Sequence, residues 1–78
     1  MVLTVRPAPG DGAYLIRVHN TTGQEVKASL QFPRVELGDA YLGSVLGERM
    51  GAVNWSAHEV NLPMARADVK SIVVRIKP

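Results

Sequence analysis

Hydrophobic residues in this chain recur at every second position, and proline or glycine interrupts them before any run grows long. In Glu25-Val26-Lys27-Ala28-Ser29-Leu30-Gln31-Phe32 the apolar set Val26, Ala28, Leu30 and Phe32 falls on one side and the polar set on the other. Successive side chains leave a strand on opposite faces, so this is the pattern of a strand with one dry and one wet side. The same habit groups Tyr14, Ile16 and Val18 within residues 13–20, and Ile72, Val74 and Ile76 within residues 71–77. Val60 and Leu62 share a face within residues 58–62. Residues 2–6 read as a first strand, and residues 39–46 as another in which Gly43 marks a bulge. No segment carries a helical stripe.

The separators agree with this reading. Pro7-Ala8-Pro9-Gly10-Asp11-Gly12 can be neither helix nor central strand. Asn20-Thr21-Thr22-Gly23 reads as a tight, hairpin-like turn, because Asn and Gly accept positive φ. Proline ends one strand after Phe32, and Pro63 closes another. Six or seven short strands punctuated in this way predict an all-β fold, a small antiparallel β-sandwich of immunoglobulin-like kind. The 78 residues hold a single domain, 1–78, and a chain of this size buries only roughly 60% of its unfolded surface. With no cysteine, neither a disulfide nor a thiolate metal site reinforces it. Because the chain starts inside one strand and stops just after another, it reads as a piece excised from the C-terminus of a longer protein.

Several functions find no support in the residues. Nine Lys and Arg stand against seven Asp and Glu, and the small excess is scattered from Arg6 to Lys77 rather than clustered as a nucleic-acid module would need. Only Tyr14, Phe32, Tyr41 and Trp55 are aromatic, and Tyr14 and Phe32 fall on expected core faces, which leaves no stacking platform for bases. No stretch approaches the ~20 apolar residues of a membrane span. Met1-Val2-Leu3-Thr4-Val5-Arg6 lacks the charged start and apolar run of a secretory leader, so a cytoplasmic chain is expected.

Catalysis would require a nucleophile or activated water, a base and an orienting group within reach of one another. His19 lies on a wet face beside a turn, and His58 reads as a hydrogen-bonded structural residue at the sheet margin. Glu36, Asp39, Glu48, Glu59 and Asp68 sit in turns or on wet faces with no pair on one strand face. Two distant histidines do not make a zinc site. Gly10-Asp11-Gly12 lacks the helix and lysine of a phosphate cradle. The expectation is a chain with no catalytic residue, no metal and no cofactor.

Trp55 is the most suggestive single residue, in Gly51-Ala52-Val53-Asn54-Trp55-Ser56 and outside the clear strands. Two readings are open. It caps the end of the sandwich or packs on a neighbouring domain, as its large apolar area favours, or it stacks on a sugar ring, with Tyr41 as a second contact. Asn20-Thr21-Thr22 and Asn54-Trp55-Ser56 match the N-glycosylation pattern, which is common by chance. Leu15, Val45 and Val73 point away from their strands' dry faces. They mark either an apolar patch covered by another domain or a second buried sheet face.

The order of the segments resembles a known family. An Asn-x-Thr turn joins two strands across residues 16–26, and Leu46-Gly47-Glu48-Arg49-Met50 follows. Val60-Asn61-Leu62-Pro63 and the final Asp68-Val69-Lys70-Ser71-Ile72-Val73-Val74-Arg75-Ile76 complete the series. Over residues 14–77 this is similar to the C-terminal β-sandwich domain of glycoside hydrolase family 38, the α-mannosidases. Asp68 stands where glutamate is commoner, and Ala65-Arg66-Ala67 replaces a more apolar, proline-containing lead-in. The resemblance implies a non-catalytic accessory domain that packs against the other domains of its parent glycosidase. Zinc and the catalytic aspartate would then lie in a separate N-terminal domain, and no catalytic residue carries over. The residues alone also leave open an autonomous carbohydrate-binding module using Trp55 or an immunoglobulin-like protein-interaction module.

Overall fold

The computed structural model describes residues 1–44 and 48–77. Eight strands follow in chain order: β1 (Val2–Pro7), β2 (Ala13–His19), β3 (Val26–Gln31), β4 (Leu37–Gly43), β5 (Arg49–Ala52), β6 (Asn54–Ser56), β7 (Glu59–Met64) and β8 (Val69–Ile76). They form a five-stranded sheet, in the order β1-β2-β8-β4-β5, and a three-stranded sheet, in the order β3-β7-β6. All pairings are antiparallel. The molecule is the expected all-β sandwich, with eight strands rather than six or seven. The two additional strands, β5 and β6, have four and three residues, too few for an alternating pattern to declare itself.

The core lies where the alternation places it. Ile16 and Val18 of β2, Ile72 and Val74 of β8 and Ala40 of β4 face Ala28 of β3 and Val60, Leu62 and Met64 of β7. Fully burying such a side chain contributes about 1.5–3 kcal/mol of transfer free energy, and Val18, Val60 and Ile72 are completely buried. Phe32 is half-buried against this cluster. Tyr14 shares the inner face of β2 but is 37% exposed, one residue from the start of that strand.

Three turns differ from their sequence reading. The segment from Asn20 to Gln24 is not a hairpin: β2 pairs with β1 and β8, whereas β3 pairs with β7, so the chain crosses here from one sheet to the other. Asn20, fully buried, organises the crossing. Its Nδ2 donates to the carbonyls of Gln24 (2.8 Å) and Ala65 (2.9 Å), while its Oδ1 accepts from the Thr22 amide (3.1 Å) and hydroxyl (2.7 Å). This amide nitrogen, buried and doubly engaged, is no glycosylation acceptor in the folded chain. Pro63 lies inside β7 rather than closing it. Strand β6 pairs with β7 only over residues 59–61, so one edge of β7 is free at Pro63, where a missing N–H is tolerated. Finally, β5 passes into β6 through Val53 alone, which joins the two sheets along one rim.

The expected bulge is present, with the β4–β5 register shifting between Leu42 and Gly43. A Cβ built on Gly43 would stand 2.8 Å from Val73 Cγ2, so no larger residue fits without displacement.

Candidate binding surfaces

The register of the large sheet sorts its side chains into two faces. On the outer face, away from the core, one cross-strand row reads Arg6, Leu15, Val73, Tyr41 and Ala52. The adjacent row reads Thr4, Arg17 and Ser71. Leu15 and Val73 are neither an exposed patch nor part of a second sheet interface, as the two readings of them required. They are 6% and 2% exposed on the outer face itself, in the middle of a cross-strand row flanked by Arg6 and Tyr41. Val45 lies outside the described residues.

Four of the nine basic residues gather on one face once the chain is folded. Arg75 lies on the same outer face, paired with Ala13 and Asp39. The Arg49 guanidinium reaches it from β5, 4.2 Å from the centroid of the Tyr41 ring and donating to Asp39 Oδ2 at 2.8 Å. Four arginines, Arg6, Arg17, Arg49 and Arg75, therefore share one sheet face, and Asp39 is the one acidic residue in the strand rows there. Between β1, β2 and β8 this face holds a groove of about 230 Å³ lined by Thr4, Val5, Arg6, Leu15, Arg17 and Ser71. Alternation alone puts Arg17 on a wet face, but only the register reveals which strands lie beside it.

Tyr41 and Trp55 are brought to different places. Tyr41 is half-buried on the outer face of the large sheet, with the Arg49 guanidinium over its ring. Trp55 is the middle residue of β6, not a loop residue, and its partner across the ladder is the core residue Val60. It therefore projects from the core-facing side of the small sheet at that sheet's edge, 36% exposed. The two aromatics do not form one surface.

The titratable groups do not converge. His19 is exposed between Val2 and Val69 on the outer face. His58 Nδ1 lies 2.7 Å from the Val35 carbonyl and 3.1 Å from that of Phe32. Both neighbours are acceptors, so Nδ1 carries the proton and ties the β6–β7 turn to the segment after β3. Carboxylates are matched singly: Asp68 with Lys70 (3.7 Å), Glu36 with Lys77 (3.6 Å), and Glu59 accepting from Gln31 Nε2 (2.8 Å). Exposed pairs of this kind contribute at most about 1 kcal/mol each. Among the described residues no group of three or more His, Cys, Asp or Glu could hold a metal ion, so the donor set does not fit a zinc site.

A second surface comes from unequal sheet widths. Since β5 runs directly into β6, those edges lie over one another, and the three-stranded sheet does not extend beneath β1. Every residue of β1 is exposed. Leu3 and Val5, 49% and 62% exposed, point to the core side of the sheet but face no second layer. Val2 and Val69 add exposed apolar area across the outer face.

Two unequal antiparallel sheets packed face to face, with an overhanging apolar edge, define a small β-sandwich domain. Over residues 1–78 the chain matches the family described as glycosyl hydrolases family 38 C-terminal beta sandwich domain, and it belongs to that family. No match was found among curated proteins or among solved structures. Family membership agrees with the resemblance drawn from residues 14–77 and extends it through β1.

Proposed function

We propose that this domain is a structural module of an α-mannosidase-like glycoside hydrolase and packs against the rest of that enzyme through β1. The observation that carries the proposal is the uncovered apolar side of β1, where Leu3 and Val5 lie beyond the small sheet. A free edge of this kind also presents unpaired backbone groups, a surface that proteins ordinarily cover. In this reading the zinc and the catalytic carboxylate belong to the other domain of the parent, and the sandwich contributes architecture rather than chemistry.

The test compares Leu3→Asp/Val5→Asp in the 78-residue chain and in its full-length parent. Each exposed substitution changes stability by about 0.5 kcal/mol or less, so with two of them the domain alone should keep its melting temperature within about 8 °C. The parent should lose stability and activity together. Equal behaviour in both settings would sink the packing role.

Trp55, at an open edge and 36% exposed, supports a second reading in which the domain binds sugar. Titration with manno-oligosaccharides, following the Trp55 indole signal, separates the two. Saturable shifts abolished by Trp55→Ala assign sugar binding; silence to millimolar sugar leaves the structural role.

A further inference from the structure

The groove on the outer face of the large sheet has the chemistry of an anion site. Arg17 sits between Thr4 and Ser71 in one cross-strand row, and Arg6 lies beside Leu15 in the next. Arg6 and Arg17 are thus diagonal neighbours on adjacent strands, about 7–8 Å apart at the backbone and within joint reach of one small ligand. The space between them is the 230 Å³ groove, whose floor is the buried Leu15 and whose rim carries the Thr4 and Ser71 hydroxyls.

Three observations turn this juxtaposition into a site. Arg17 makes no hydrogen bond or ion pair among the described residues, so its five donors are turned to solvent. The nearest acid on that face, Asp39, is already engaged by Arg49 on the far side of the sheet. The permanently charged basic residues in the strand rows of the outer face are all arginine, whereas Lys70 lies on the core side of β8 and Lys27 in the other sheet. Guanidinium groups grip carboxylate, sulfate or phosphate oxygens two at a time, and an ammonium does not. A buried apolar floor lowers the local dielectric and strengthens the pairing.

We propose that Thr4, Arg6, Arg17 and Ser71 form a binding site for a single oxyanion, either free or carried on a sugar ring. The Arg17 guanidinium holds the charge, Arg6 adds to the positive field beside it, and the two hydroxyls meet the oxygens around it. This site is separate from Trp55 and from the overhanging side of β1, and it does not depend on the packing role.

The test is an amide NMR titration of the 78-residue chain at constant ionic strength, with inorganic sulfate in one arm and glucuronate in the other. Glucose serves as the neutral control. Saturable shifts centred on Thr4, Leu15, Arg17 and Ser71 are expected, with a dissociation constant on the order of 1 mM. Arg17→Gln or Arg6→Gln should weaken binding about tenfold, whereas Arg75→Gln, on the same face but outside the groove, should leave it unchanged. Sulfate binding alone assigns a free oxyanion, and tighter binding of glucuronate assigns one borne on a sugar. Linear, unsaturable shifts, an equal response to glucose, or an Arg75→Gln loss as large as that of Arg17→Gln would each overturn the site.

Discussion

Removing the Asn20 amide breaks four hydrogen bonds of a fully buried side chain, two to the carbonyls of Gln24 and Ala65 and two from the Thr22 amide and hydroxyl. Each such bond contributes about 0.5–1.5 kcal/mol net. Asn20→Ala is therefore expected to destabilise the domain by about 3 kcal/mol, lowering its melting temperature by roughly 12–24 °C for a chain of this size. Asn20→Asp should be worse, since it aims a carboxylate at two carbonyls. Thermal unfolding followed by circular dichroism checks both. The opposite sign is expected at Ala67, whose φ of 59° is the left-handed conformation that costs an L-residue about 1–2 kcal/mol. Ala67→Gly relieves that cost, less the entropy glycine surrenders on folding. A net gain of about 0.5–1 kcal/mol in urea unfolding is the expected outcome. Neither effect could be read from the residue types. Asn20-Thr21-Thr22-Gly23 announces a turn, but the partner at Ala65 becomes visible only when β7 and β8 are in place.

Between elements, the tightest constraint is where β4 passes Val73 of β8. Gly43→Ala would drive its Cβ into Val73 Cγ2, and overpacking of this kind costs about 1–3 kcal/mol. In a Val73→Ala background the penalty should shrink, giving a coupling energy of about 1 kcal/mol in a double-mutant cycle. Additive effects would show that something other than this contact excludes a side chain at position 43. Here the sequence was legible, because a glycine inside an alternating strand implies a bulge or a close approach, and both occur. The long strands β2, β3, β7 and β8 were legible for the same reason: each has one face in the core, so burial selects alternation. Strands β5 and β6 were not. As short edge strands they bury little, and residues 49–56 carry almost no periodic signal. That is why Trp55 reads as a loop residue until the ladder to Val60 is seen.

Across the whole molecule, the two candidate surfaces follow from topology rather than from motifs. The overhang of β1 exists because one sheet has five strands and the other three. The arginine face exists because antiparallel pairing stacks Arg6, Arg17 and Arg75, from the first, second and last strands, onto one side. A charge count along the chain registers an excess of two and misses this segregation. The topology also carries a kinetic expectation. The pairings β2–β8, β4–β8 and β3–β7 join distant stretches of chain, so folding should take milliseconds to seconds despite the small size. Stopped-flow tryptophan fluorescence of Trp55 measures this directly, and microsecond folding would contradict it.

The position of β8 has a further consequence for biosynthesis. It is the last of the eight strands, yet it occupies the middle of the large sheet, where it joins β2 to β4. At about 5–20 residues per second, several seconds of translation pass in which those two strands have emerged and the piece between them has not. The nascent chain cannot bank its stability strand by strand. It becomes foldable almost at once, when Val69–Ile76 leaves the ribosome, and until then its most hydrophobic edges depend on whatever protects a growing polypeptide.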